Sequence, residues 1–127
     1  MRILFVTSEA FPLIKTGGLA DVSGSLPAAL QKIKHDVRIL IPGYPAVLSK
    51  LVNPSYLTTI SNLPNVGAVN IVMGEMPDTG VPVMVIQSPE LYERAGGPYI
   101  DENGQDWQDN AARFGTLSLV AAILSGE

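Results

Sequence analysis

Two spacings of apolar residues divide this chain into segments. Arg2 to Thr7 is a short apolar run with β-branched members, which predicts a buried strand. Residues 8–17 carry Pro12 and run into the pair Gly17-Gly18, so they read as a loop. From Leu19 the spacing changes to threes and fours. Leu19, Val22, Leu26, Leu30 and Ile33 fall on one face of a helix. Pro27 lies inside that pattern and predicts a kink or a helix start nearby. Asp36 to Ile41 reads as a second strand, ended by Pro42-Gly43. Strand, loop, helix and strand within about forty residues form a βαβ unit, normally right-handed and parallel.

The remaining pattern is less regular. Residues 45–52 predict a short helix after Pro45. Residues 56–62, 66–73 and 81–87 are three strand candidates, separated by Asn65 and by Asp78-Thr79-Gly80, with a hairpin-like excursion among them. Residues 88–108 are rich in Pro, Gly, Asp and Asn and read as a long loop, a length that in a compact domain often carries function. Residues 109–125 predict a last helix with Phe114, Leu117, Ala121 and Leu124 on one face. The fold class expected is α/β, an incomplete Rossmann-like parallel sheet. No repeat, low-complexity segment or linker marks a second domain within residues 1–127.

Composition narrows the functional classes. The 127 residues are 46% hydrophobic and 16% charged, which suits one globular core and not a disordered segment. A net charge of −4 argues against nucleic-acid binding, which needs a basic face. The absence of cysteine excludes disulfides and thiolate metal sites within the sequence. No apolar run approaches the roughly 20 residues of a membrane span or resembles a secretion signal. The expectation is a cytoplasmic protein with no membrane and no nucleic-acid partner.

The most informative chemistry lies between the first strand and the first helix, in Lys15-Thr16-Gly17-Gly18-Leu19-Ala20-Asp21-Val22. Two glycines at a helix N-terminus let a ligand approach the backbone. The first helical N–H groups then point outward, where the helix dipole favours an anion. Lys15 adds a mobile positive charge. The set suits a diphosphate, although a tight strand-to-helix turn with a surface lysine accounts for the same residues. It is not a Walker A loop, where the lysine follows the glycines, and it lacks the G-x-G-x-x-G spacing of dinucleotide sites.

That octet, preceded by Ser8-Glu9-Ala10-Phe11-Pro12, resembles the N-terminal signature of bacterial glycogen synthases and plant starch synthases. The resemblance continues through Gly24-Ser25-Leu26-Pro27-Ala28-Ala29-Leu30, His35-Asp36-Val37-Arg38 and Pro42-Gly43-Tyr44-Pro45. It extends through Leu91-Tyr92-Glu93-Arg94, Gly97-Pro98-Tyr99 and Asp106-Trp107-Gln108-Asp109-Asn110 to Arg113-Phe114. It therefore runs the length of the chain, in order. One departure is Lys34, where the family usually has Gly. If that position is a left-handed helix cap, Lys costs roughly 1 kcal/mol there relative to Gly.

The resemblance implies the N-terminal part of a GT-B glycosyltransferase, whose two Rossmann-like domains face each other across a cleft; the second domain is absent here. It implies transfer of glucose from ADP-glucose to the non-reducing end of an α-1,4-glucan with retention, without metal or other cofactor. It further implies that residues 1–127 alone are inactive and leave apolar edges exposed. Lys15 and the N–H groups of Gly17 and Gly18 are expected to stabilise the departing diphosphate. Glu9 follows the first strand, at the edge of an α/β sheet where ligands bind. It is read either as cleft-lining and catalytic with Lys15 or as ordinary surface charge.

Tyr99 is implied to line the nucleotide-sugar cleft, its alternative being a half-buried loop tyrosine. Asp21 either complements the helix dipole or touches sugar or acceptor. Asn110 and Arg113 either hold the acceptor glucan or cap and pair the last helix. Trp107 is more simply a packing anchor than a sugar platform, and His35 is given no chemistry. Two other readings remain at this stage. One is a different GT-B transferase, of sucrose or trehalose type, against which the extended Ser8–Val22 run argues. The other is a non-catalytic glucan- or nucleotide-sugar-binding module.

Overall fold

The computed structural model describes residues 1–126. Its elements run β1 (Arg2–Val6), α1 (Gly18–Lys32), β2 (Asp36–Pro42), α2 (Pro45–Lys50), β3 (Val52–Leu63), β4 (Gly67–Glu75), β5 (Pro82–Gln87), α3 (Pro89–Tyr92) and α4 (Asn110–Ser125). The five strands form one sheet in the order β1-β2-β5-β4-β3. β1, β2 and β5 are parallel, while β4 runs antiparallel to β5 and to β3. The expected α/β class holds. The parallel part is β1-β2-β5, and the hairpin-like excursion is the antiparallel pair β3–β4, which extends the sheet before β5 returns beside β2.

The central strands carry the core. Ile39, Leu40 and Ile41 of β2 lie beside Val83, Val85 and Ile86 of β5, all buried. Continuous burial along a strand is what a sheet covered on both faces requires. β3 is an edge strand and mostly exposed. It starts at Val52 rather than near 56, because an edge tolerates Pro54 and the positive φ of Asn53, both of which argue against a central strand. Its register against β4 shifts three times along its length.

Helix α1 begins at the Gly-Gly pair, as its spacing predicts, and runs through Pro27 without a break. Its packing face does not match the prediction. Ala20, Ser23 and Pro27 are buried, whereas Leu19, Val22, Leu26 and Ile33 are 42–65% exposed. The reason is close approach. A Cβ on Gly24 would lie 2.4 Å from the Phe11 carbonyl oxygen, and the Phe11 N–H donates to Ala20 O at 2.9 Å. A helix this near the loop after β1 can present only small side chains to it. Thr7 and Ser23 settle the polar part of the contact with a 2.9 Å hydroxyl pair.

α1 ends in a Schellman motif: the Lys34 N–H donates to Gln31 O, the His35 N–H donates to Leu30 O, and Lys34 sits at φ +77°. Lys34→Gly therefore stabilises the protein by about 0.5–1 kcal/mol, the relief of a left-handed side chain exceeding the added freedom of the unfolded chain. A higher thermal midpoint of the variant checks this; an equal or lower one refutes it.

In α4, Arg113, Thr116, Leu117 and Val120 are buried and Phe114, Ala121 and Leu124 pack at their margin, so the buried face is rotated slightly from the expected one. The segment 88–108 is not wholly irregular, since it contains the single-turn helix α3.

Candidate functional site

The parallel strands end together, and the segments that follow them converge there: residues 7–17 after β1, Gly43-Tyr44 after β2, and residues 88–109 after β5. This carboxyl edge is where ligands bind in open α/β sheets. A larger cavity, of about 590 Å³, lies at the opposite edge among Arg2, Asp36, Arg38 and Leu124. It contains none of the candidate site residues named from the sequence.

Lys15 and Asp21 face outward. Lys15 Nζ donates to Asp21 Oδ2 at 2.6 Å, and both side chains are about half exposed. Such a pair adds little stability. It parks the ammonium over the first turn of α1, free to change partner. A Cβ placed on Gly17 or Gly18 would meet nothing within 4 Å, and neither residue has a positive φ. Neither crowding nor backbone strain within this chain requires glycine at either position. Their effect is to leave the start of α1 open to close approach.

Glu9 occupies a different place from the one expected. It is 2% exposed and lies beneath the loop, not on a cleft wall. Oε1 accepts from the backbone N–H groups of Thr16 and Gly17, both at 3.1 Å. Oε2 accepts from Thr16 Oγ1 at 2.5 Å and from the Tyr99 hydroxyl at 2.6 Å. Burial alone would raise its pKa. The hydrogen bonds from Thr16, Tyr99 and Gly17 outweigh that and bring it down from 4.5 to about 2. The carboxylate is thus charged at neutral pH and fully engaged. The Gly17 N–H, expected to meet a diphosphate, is already used by Glu9. The next N–H, at Gly18, has no acceptor among the described residues.

Tyr99 joins this arrangement from the other side of the site. Its one proton goes to Glu9, so the 2.6 Å contact with Ser8 Oγ is a bond that Ser8 donates. Burial, and the hydrogen bond to Glu9 after it, raise the pKa of the Tyr99 hydroxyl. The ring packs on Phe114 at 5.7 Å.

The loop that carries Tyr99 is tied down by residues expected to face the acceptor. Arg113 is 1% exposed and so is not a cleft residue here. Its Nε donates to Leu91 O at 2.8 Å, and its Nη1 donates to Pro98 O at 2.7 Å and Asn110 Oδ1 at 2.8 Å. Asn110 Nδ2 donates to Tyr99 O at 3.0 Å. Both side chains hydrogen-bond within the fold, to carbonyls of the loop and to each other. Trp107 is likewise an anchor: its Nε1 donates to Gly97 O at 3.0 Å, and the guanidinium groups of Arg94 and Arg113 lie over its ring.

Three contributors had escaped the sequence reading. Thr16 supplies two of the four bonds to Glu9. Arg94 and Asp109 close the loop ends with a two-pronged ion pair at 2.8 and 2.6 Å. Asp109, at the mouth of α4, was the only available signal, a carboxylate where a helix begins. Among the described residues no group of three His, Cys, Asp or Glu side chains is placed to hold a metal.

Comparison with known proteins gives the same direction. Residues 2–126 match the family model described as starch synthase catalytic domain. The glycogen synthase of Nitrosomonas europaea is 50% identical over 99% of this chain. That of Paramagnetospirillum magneticum is 51% identical over all of it. In each case the match spans 26% of the relative, so this chain corresponds to about a quarter of their length. Among solved structures, the catalytic domain of starch synthase IV from Arabidopsis thaliana, bound to ADP and acarbose, superposes with a TM-score of 0.77. It is 29% identical, over 98% of this chain and 26% of that one. With the family model matched over all but the terminal residues, and the fold shared, this chain belongs to the starch synthase catalytic domain family.

Proposed function

We propose that this chain forms the leaving-group side of the sugar-nucleotide site in a glycogen (starch) synthase. The reaction transfers glucose from ADP-glucose to the non-reducing end of an α-1,4-glucan with retention. The observation that carries the reading is an exposed Lys15 beside the open start of α1 at the carboxyl edge of the parallel strands. A solved relative of the same fold is bound to ADP and acarbose, which supports it.

The difficult step is breakage of the bond between the glucose C1 and the diphosphate oxygen. Both bonding electrons leave with ADP, C1 gains oxocarbenium character, and an acceptor hydroxyl oxygen then bonds to C1 and gives up its proton to the departing diphosphate oxygen. Negative charge grows on the diphosphate as this happens. The Lys15 ammonium and the Gly18 N–H are donors aimed where that charge develops. Asp21 holds Lys15 until the diphosphate replaces it as partner.

The test is transfer of labelled glucose from ADP-glucose to glycogen by a full-length protein carrying this chain. Label is expected in the polymer, and it should be released by an exo-acting amylase that digests from non-reducing ends. A protein that sediments with glycogen but incorporates no label would show the chain to belong to a binding module instead.

A further inference from the structure

We propose that Glu9 and Tyr99 are positioning residues for this transfer. The Tyr99 hydroxyl fixes the Glu9 carboxylate, and Glu9 fixes the Thr16-Gly17 backbone. The loop over residues 94–109 thereby sets the aim of Lys15 and of the Gly18 N–H. The inference rests on the diphosphate reading above and assigns to that site two residues that do not touch its ligand.

Three observations carry it. First, Glu9 is sealed. At 2% exposure and with two donors on each oxygen, it has neither the access nor a free lone pair for acid–base work on a sugar. Second, its place is that of an anion. Successive backbone N–H groups make a concave anion site, and in this chain those of Thr16 and Gly17 close on a built-in carboxylate. The loop is thereby shaped around a negative charge before any ligand arrives. What remains pointing outward is Lys15 on one side of that peptide pair and Gly18 on the other.

Third, Tyr99 is held independently of Glu9. Asn110 Nδ2 and the Trp107 N–H both donate to its carbonyl, at 3.0 and 3.2 Å, and Arg113 grips the preceding carbonyl of Pro98. The Arg94–Asp109 pair closes the loop at its ends. The hydroxyl therefore reaches Glu9, ninety residues away in sequence, from a braced frame. Its proton is committed there and cannot also be donated to a substrate.

The experiment uses a full-length synthase carrying this chain, with Tyr99→Phe, Glu9→Gln, both together, and Glu9→Gln combined with Lys15→Gln. Tyr99→Phe keeps the ring on Phe114 and removes only the hydroxyl, so it serves as the probe even if the Glu9 variant folds poorly. Each single change is expected to lower kcat/KM for ADP-glucose about 10-fold, with the KM for glycogen within about 2-fold of wild type. If Tyr99 acts through Glu9, the double variant falls little further than either single one. If Glu9 acts by aiming Lys15, adding Glu9→Gln to Lys15→Gln costs less than about 2-fold, whereas general loosening of the fold would cost the full factor again.

Singles that match wild type overturn the proposal. So does a Tyr99/Glu9 double variant reduced about 100-fold, the product of independent effects, which would place Tyr99 on the substrate itself. Either result in an active enzyme leaves the diphosphate reading standing. A wild-type protein that moves no glucose overturns that reading and this inference together.

Discussion

Lys15→Gln in a full-length synthase carrying this chain should lower glucose transfer from ADP-glucose by on the order of 100-fold or more, with no matching loss of stability. The size follows from what single donors contribute when aimed at developing negative charge in a water-poor site, about 3–4 kcal/mol. The separation from stability follows from the structure. Lys15 Nζ meets only the half-exposed carboxylate of Asp21 and lies 6.0 Å from the Phe11 ring, contacts worth well under about 1 kcal/mol at such exposure. Glutamine keeps most of the stem and loses the charge.

Because the diphosphate gains charge as the C1–oxygen bond breaks, most of the effect belongs to kcat. A contact made equally in ground state and transition state would instead raise KM and leave kcat alone. Steady-state kinetics over ADP-glucose, beside thermal melts of both proteins, separates these cases. Unchanged turnover together with unchanged KM would remove Lys15 from the site.

The part of the fold legible in the sequence is the part governed by local rules. Short apolar runs located β1, β2 and β5. The glycine pair located the start of α1; the left-handed cap at Lys34 came into view only as a condition raised by the resemblance. What stayed hidden depends on partners far along the chain. The apolar stripe Leu19, Val22, Leu26 and Ile33 has helical spacing, yet spacing states only that these residues share a face. The neighbouring, small-residue face wins here because the loop at Phe11 approaches within the reach of a methyl group.

The site shows the same division. Lys15, Gly17 and Gly18 stand out in the sequence as candidates because their chemistry is contiguous, but the use of the Gly17 N–H by Glu9 does not show there. Glu9 was legible as a residue of interest, but its burial was not. Its last partner, Tyr99, lies ninety residues on, and its donors at Thr16 and Gly17 are backbone groups, which every residue but proline carries. Asn110 and Arg113 were read with two alternatives because a helix start offers both capping and exposure. The partners the packed loop supplies to them, carbonyls of residues 91, 98 and 99, carry no signal in the sequence.

Arg113→Met should destabilise the loop over residues 94–109 by roughly 3 kcal/mol, the summed effect of lost donors offset in part by removal of a buried charge. Arg113 is 1% exposed, and its guanidinium has no carboxylate partner among the described residues. Burial accordingly pushes its pKa below the usual arginine value. Its charge is carried by carbonyls and rings: Leu91 O, Pro98 O and Asn110 Oδ1 accept from it, and Tyr92, Trp107 and Phe114 surround it at 5.4–5.9 Å. Methionine fills the stem and leaves those three acceptors without a donor in a place water does not reach. Lysine does not rescue it, since one ammonium cannot reproduce the planar fork that serves three separated oxygens.

The measurement is hydrogen exchange. At about 1.4 kcal/mol per factor of ten, amides of residues 94–109 should exchange on the order of 100-fold faster in the variant, while those of β2 and β5 keep their protection. An acceptor-binding Arg113 would give the opposite pattern: a raised KM for glycogen with unchanged exchange in the loop. An exposure of only 1% already favours the first outcome, and since the loop braces Tyr99, the Met variant should also lose the part of ADP-glucose turnover that Tyr99→Phe loses.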